Sequence, residues 1–441
     1  MIEFDPTLVH EWLSRSARRF PDKEALIFGE ERWTYKNLEQ HAWHLAASLN
    51  KAGLKRQDRV VIFLDNCTEA VISIYAILKA GGIFVTLEGS LKAGKLKYIL
   101  QNCSPKVIIT HTKKARIVNE ALKDSDIKCQ IFWVGKQEKI PDDLAFCSFS
   151  WENIFSTINK NKRINTSPLP RCIDVDLAAL IYTSGSTGQA KGVMTTHHNM
   201  ISAARSIIQY LDNSEDDIVF NVLPLSFDYG LYQIIMTFMF GGTVVLFNSF
   251  LYMHQVLEII TREKVTGFPV VPTIVAMLLQ MQNLKKYDFS KLKYISNTAA
   301  ALPVEHIRKL QNLFPGIKIY SMYGLTECKR VSFLPPQELT KKPSSVGKAM
   351  NNCEVFVVDK EGNEVEAGQE GELVIRGSNV MQGYWNDPVL TDETYRQGSY
   401  PEDRMLHSGD YFKKDNEGFL YFFGRKDDII KSRGEKVSAR E

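Results

Sequence analysis

From Tyr182 to Gly192 the chain reads "YTSGSTGQAKG", with three glycines, four serine or threonine hydroxyls, one lysine and hardly any apolar surface. Gly185 and Gly188 permit backbone conformations in which successive N–H groups converge on an anion. Thr183, Ser184, Ser186 and Thr187 add hydroxyl donors, and Lys191 adds a point charge. Donors of this kind at this density suit phosphate oxygens. The G-x-x-x-x-G-K-[ST] spacing of a P-loop is absent. A flexible surface turn is the alternative, because Gly/Ser/Thr clusters also serve as linkers.

Such a loop has to be held by regular elements. Before it, "NLEQHAWHLAASLNKAG" is amphipathic and stops at Gly53, a good residue just past a helix end. "DRVVIFLD", "IFVTL" and "PKVIITH" are strand-like, and "TEAVISIYAILKAGG" is a helix stopped by Gly81 and Gly82. Strands alternating with helices predict mostly parallel sheets covered on both faces. Polar, irregular text from about Gly135 to Asp174 predicts a linker. Beyond it "DLAALIY", "DIVFNVLPL", "GGTVVLF", "VTGFPVV", "KYISNT" and "KIYSMYG" are strands, and "HHNMISAARSIIQYL" and "VEHIRKLQNLF" are helices. "CEVFVVDKEGNEVEAGQEGELVIRG" has short strands and turns without a helix, which predicts a small antiparallel unit. The expected organisation is an α/β fold with an N-terminal lobe over 1–170, a second lobe with the phosphate loop over 171–345, and a small β subdomain over 346–426. A hinge and stub over 427–441 complete it.

Composition narrows the class. A net charge of +3 is too small to argue for nucleic acid, and 44% hydrophobic with 24% charged residues is ordinary for a globular chain. Seven scattered cysteines with no C-x-x-C pair suggest reduced thiols and not a zinc site. "GLYQIIMTFMFGGTVVLF" is interrupted by Gln233, Gly241 and Gly242, so it predicts a buried helix, a turn and a strand rather than a membrane span. With no signal-like N-terminus, a cytoplasmic location is expected.

"YTSGSTGQAKG" resembles the signature loop of the adenylate-forming superfamily of acyl-CoA synthetases and amino-acid adenylation enzymes. "YGLTE" (Tyr323 to Glu327), "GELVIRGSNVMQGYWNDP", "HSGD" (His407 to Asp410) and "GRKDDIIKSRGEKVS" resemble four further hallmarks, in the family's order. The resemblance implies ATP and Mg2+ as cofactors and a role for each matching position. Thr183 to Lys191 would grip the ATP phosphates, Thr326 the α-phosphate, and Glu327 the metal. Asn297, Thr298 and Ala299 would pass beside the adenine, and Tyr323, followed by Gly324, would stack on it. Asp410 would accept hydrogen bonds from the ribose hydroxyls with support from Arg425. Asp427 would be the hinge to a small mobile domain, of which only a stub is expected here, so that this chain would turn over poorly by itself.

The resemblance also implies a reaction: a carboxylate attacks the α-phosphate, and the resulting acyl-adenylate passes to a phosphopantetheine thiol on an acyl or peptidyl carrier protein or coenzyme A. In amino-acid-activating relatives an Asp matching Asp228 binds the substrate ammonium. Tyr229, Tyr232, Met322, Arg330 and Val331 match the remaining pocket positions. This set is similar to stand-alone ligases that load L-proline onto a carrier protein. Some fatty-acyl relatives also resemble "FDYGL", which leaves a fatty-acyl or acyl-CoA ligase as the alternative. Asp228 could equally be structural, as a helix cap or a partner of Arg330, and the tyrosines could be core. A nucleotide-binding module without turnover is the reading from a different class.

Overall fold

The computed structural model describes residues 5–136, 140, 148–156, 169–184, 189–401, 403–426, 429–432 and 435–438. Two large sheets carry the molecule. The first runs, edge to edge, through strands Lys348–Ala349, Ser332–Leu334, Lys318–Tyr323, Tyr294–Asn297, Gly267–Val270, Ile218–Asn221, Thr243–Leu246, Glu24–Phe28 and Glu31–Thr34. The second runs through Ser148–Ser150, Gln130–Val134, Val107–His111, Arg59–Phe63, Ile83–Thr86, Leu177–Ser184 and Ala190–Thr196. Their central ladders are parallel; antiparallel pairs close both edges of the first sheet and the Ala190–Thr196 edge of the second, whose other edge strand, Ser148–Ser150, pairs in parallel. A third, antiparallel sheet is built from Cys353–Val358, Glu370–Gly377, Tyr395–Gln397, Arg404–Lys414 and Leu420–Arg425. This is the expected fold class, with one added helix, Pro388–Thr394, in the antiparallel part.

Both faces of the second sheet are covered, which explains its continuous apolar strands. Val60 and Ile62 belong to one core cluster, while Val61 and Phe63 belong to another that includes Leu96 and Leu100 of helix Ala93–Cys103. Helices Thr68–Lys79 and Asp228–Phe240 are buried almost all round, as a helix apolar on every side must be. They meet through Tyr75 and Phe238, whose ring centroids are 5.4 Å apart. "GLYQIIMTFMFGGTVVLF" is therefore a buried helix, a turn with Gly241 at φ 83, and a strand. Among the described residues no helix is long and apolar enough to cross a membrane.

Two expectations change. A boundary at residue 170 does not separate the sheets: Glu24–Phe28 pairs with Thr243–Leu246 in the first sheet, and Leu177–Ser184 pairs with Ile83–Thr86 in the second. Each lobe lends strands to the other's sheet, which a reading made along the chain alone misses. The expected linker also contains strand Ser148–Ser150 and helix Trp151–Phe155. Phe149 stacks on Phe132 at 4.7 Å, and Trp151 is buried, so tertiary contacts order a segment whose local pattern is weak.

The start of helix Asp228–Phe240 is fixed by amide side chains. Asn66 donates from Nδ2 to the Leu223 and Phe247 carbonyls and accepts from the Leu225 N–H. Asn221 donates to the Gly230 carbonyl and accepts from the Leu223 N–H. The loop 222–227 consequently folds tightly onto the first helical turn. A Cβ on Gly230 would lie 2.4 Å from the Pro224 carbonyl oxygen and 2.6 Å from that of Leu223. We expect Gly230→Ala to destabilise the protein by about 1–3 kcal/mol, the usual cost of overpacking, measured by urea unfolding. Wild-type stability in that variant would show that the loop has room to move.

Candidate active site

A cavity of about 390 Å³ opens where the three sheets meet, and its wall comes from Phe227 to Tyr229, Thr298 to Ala301, Met322 to Glu327 and the antiparallel sheet. Ligand crevices of doubly wound folds lie outside the carboxyl ends of parallel strands. Two of the wall segments follow that rule, leaving strands Tyr294–Asn297 and Lys318–Tyr323.

At one end Asp410, 7% exposed, receives two charge-assisted hydrogen bonds. Arg425 Nε donates to Oδ1 at 3.0 Å and the Tyr323 hydroxyl donates to Oδ2 at 2.6 Å. Asp410 and Arg425 are direct cross-strand partners in the antiparallel ladder. Burial, and then the Asp410 charge, push the Tyr323 phenol well above its usual range, so it stays a donor. The resulting carboxylate is fixed, charged and on the cavity wall, suited to accept from a vicinal diol. Tyr323 packs edge-on to Phe412 at 4.8 Å and beside Phe422, which also lines the cavity. Thr298 and Ala299 line the wall, with Ala299 at φ 75. Asn297 is buried behind them and donates to the Ala300 carbonyl at 2.9 Å.

In the middle, Gly324, Thr326 and Glu327 lie in the turn after strand Lys318–Tyr323. A Cβ on Gly324 would sit 2.3 Å from the Lys329 carbonyl oxygen, so only glycine lets this turn close. Glu327 Oε1 accepts from the Tyr384 hydroxyl at 2.7 Å, and Lys191 Nζ lies 5.6 Å from the centre of the Tyr384 ring. Tyr384 thus links the lysine strand to the glutamate turn, a role not expected from the sequence although "MQGYWNDP" holds it. Among the described residues no three His, Cys, Asp or Glu side chains gather as a metal cage. A single wall carboxylate suits Mg2+ shared with substrate phosphates, the usual arrangement for that ion. Thr183 lines the cavity, and Lys191 is its strand partner. Of Ser184 the backbone is described, closing its strand; Gly185, Ser186, Thr187, Gly188 and the expected hinge Asp427 lie outside the described residues.

At the other end Asp228 occupies the first turn of its helix without capping it. Its partner is Lys329, not Arg330: Lys329 Nζ is 3.5 Å from Asp228 Oδ2 and donates to the Asp228 carbonyl at 2.9 Å. Lys329 was missed from the sequence, where two adjacent cations in the apolar run "CKRVSF" were its only sign. Burial pushes its ammonium down to about 7, an effect the Asp228 carboxylate opposes and Arg330 reinforces. Tyr229 and Met322 line the cavity. Tyr232 and Val331 are fully buried and do not; Tyr232 belongs to the main core cluster, and Lys329 Nζ lies 4.4 Å from its ring centre. Arg330 is 1% exposed and stands behind Tyr229 at 5.2 Å from the ring centre.

Two outcomes follow. Asp410→Asn keeps the shape but removes the charge that its donors and a diol share. A hydrogen bond to a charged group contributes about 1.5–3 kcal/mol, so AMP affinity by calorimetry should fall roughly tenfold to a hundredfold. Lys329 makes stability depend on pH. Its folded value of about 7 is below the ordinary 10.5, so between these values the unfolded chain holds the extra proton. Stability from this group therefore rises with pH across that window. Urea midpoints measured from pH 6.5 to 9.5 should show that rise in the wild type and lose it in Lys329→Met.

Comparison with known proteins agrees with this geometry. The family of AMP-binding enzymes matches residues 13–385. The chain is 33% identical to a long-chain-fatty-acid–CoA ligase of Bacillus subtilis (strain 168), over 97% of this chain and 78% of that protein. Among solved structures, VinN in complex with L-aspartate is similar at 29% identity and a TM-score of 0.79, covering 94% of this chain and 98% of that one. O-succinylbenzoate coenzyme A synthetase (MenE) from Bacillus subtilis, in complex with ATP and magnesium ion, is similar at 25% identity and a TM-score of 0.81, covering 97% of this chain and 82% of that one. The chain belongs to the family of AMP-binding enzymes, the AMP-forming ligases that activate carboxylic acids as adenylates.

Proposed function

We propose that this ligase activates an amino acid, with Asp228 as the anchor of the substrate ammonium. The observation that carries the reading is a second buried carboxylate, Asp228, on the wall of the cavity that Asp410 also lines. With the ribose on Asp410 and the phosphates beside Thr326 and Glu327, the acyl group projects toward Asp228. A substrate carboxylate oxygen forms a bond to the α-phosphorus, and the bond from phosphorus to the bridging oxygen of pyrophosphate breaks. Thr326 donates to the α-phosphate; Thr183 and Lys191 support the departing phosphates. Glu327 would hold Mg2+, which when bound would supply neutralisation of the charge on the phosphoryl oxygens. Tyr384 fixes the carboxylate that holds it. A thiol then attacks the acyl carbon and AMP leaves; we assign that thiol to the phosphopantetheine arm of a carrier protein, the same reactive end that coenzyme A presents.

Buried Asp228 in the acyl half supports an amine-bearing acid, and the likeness to VinN, solved with L-aspartate, supports the same class. L-Proline satisfies Asp228 and packs on Tyr229 and Met322, but it makes no use of Lys329. The fatty-acyl relative keeps a plain acid as the competing reading.

Calorimetry with non-hydrolysable prolyl and octanoyl adenylate mimics tests the class. The prolyl mimic should bind more tightly, and Asp228→Ala should weaken it roughly tenfold to a hundredfold, the effect of one charged hydrogen bond. Tighter binding of the octanoyl mimic, unaffected by the substitution, would make this a fatty-acyl ligase.

A further inference from the structure

The acyl end of the cavity holds more positive charge than Asp228 can balance. Lys329 lines the cavity and is 3% exposed; Arg330 follows it and is 1% exposed. Both approach the Tyr229 ring, with Lys329 Nζ at 5.4 Å and the Arg330 guanidinium carbon at 5.2 Å from its centre. Arg330 Nε and Nη1 meet no acceptor among the described residues. The ionisable groups around Lys329 are Asp228, Tyr229 and Tyr232 on the facing helix, and Cys328 and Arg330 on its own loop. Two basic side chains, Lys329 beside Asp228 and Arg330 behind Tyr229, therefore share a buried space with one carboxylate, and removal of charge from water is costly unless it is paired.

The backbone of the loop points the same way. Lys329 has φ 63, in the left-handed region that lysine enters at a cost. Asn379 holds it there, donating from Nδ2 to the Cys328 and Arg330 carbonyls at 2.9 and 2.8 Å. Strained residues held by their surroundings cluster at ligand clamps. Here the strained residue brings an ammonium to the cavity wall, 3.5 Å from Asp228.

We infer that the acid activated by this protein carries a second anionic group, a carboxylate, received by Lys329 with Arg330 behind it. On the amino-acid reading, on which the ammonium part of this assignment rests, the substrate is a short amino dicarboxylic acid. Its ammonium lies on Asp228, one carboxyl is adenylated, and the other pairs with Lys329. The cavity of about 390 Å³ must also take the nucleotide, so the carbon chain between the two carboxyls is short.

The test compares non-hydrolysable adenylate mimics carrying aspartyl (linked through either carboxyl), asparaginyl, succinyl, prolyl and octanoyl groups, by calorimetry on the whole chain. One aspartyl isomer should bind roughly tenfold to a hundredfold more tightly than its neutral asparaginyl counterpart, and Lys329→Met should close that gap. If that variant does not fold, the wild-type ratio of aspartyl to asparaginyl decides alone. Equal or tighter binding of the asparaginyl or prolyl mimic would overturn the second carboxylate and leave the amino-acid reading standing. A succinyl mimic as tight as the aspartyl one, weakened by Lys329→Met, would support the second carboxylate and remove the amino acid. Preference for the octanoyl mimic would overturn both.

Discussion

The bond from the Tyr323 hydroxyl to Asp410, 2.6 Å long, ties the end of a central strand in the first sheet to the antiparallel sheet. On it depends the relation between the two halves of the cavity wall. Strand Lys318–Tyr323 runs on into Gly324, Thr326, Glu327 and Lys329, while strand Arg404–Lys414 brings Asp410 and its cross-strand partner Arg425. A shift between these sheets would move Asp410 relative to the Thr326–Glu327 turn. Further polar links restrain the same joint: Tyr384 reaches Glu327, and Asn379 reaches the carbonyls on either side of Lys329. The Asn379 bonds end on buried backbone carbonyls and the Tyr384 bond on a half-buried carboxylate, where losing a partner is costlier than at the surface.

Much of this was legible in the sequence because it rests on local rules. The helices around Leu45, Ile74 and Ile201 follow their apolar spacing, and Gly53, Gly81 and Gly241 stop helices with φ of 84, 78 and 83 as their positions imply. That Thr326, Glu327, Asp410 and Arg425 share one cavity wall was legible for a different reason: they lie in short motifs that the sequence shows directly. What could not be read depends on contacts between distant segments. The strand Glu24–Phe28 gives no local sign that it will pair with Thr243–Leu246. Phe149 and Trp151 order a segment whose composition alone suggests a linker.

The acyl end shows the same limit at one position. From the sequence, Lys329 and Arg330 are neighbours with equal claims on Asp228, and arginine is the usual partner of a buried carboxylate. Local geometry reverses the choice. The Gly324 turn closes onto the Lys329 carbonyl, φ at Lys329 becomes positive, and the ammonium meets Asp228 while the guanidinium lies behind Tyr229. Tyr232, expected on the wall, instead lies within 4.4 Å of the Lys329 ammonium as part of its buried surroundings.

The two ends of the cavity therefore have different physical characters. Asp410 is already paired within the protein, holding Arg425 and Tyr323. A ligand there adds hydrogen bonds to a balanced group. At the acyl end Asp228 sits in the first turn of a helix, where the positive end of the helix dipole already favours a carboxylate. Adding Lys329 and Arg330 to that field leaves an excess of positive potential in a buried space. A balanced site tolerates any ligand of the right shape; an unbalanced one discriminates by charge, because a neutral occupant leaves the excess uncompensated. On the proposed reading, the common chemistry of adenylation and the selection of the acid would draw on differently charged groups of one cavity wall.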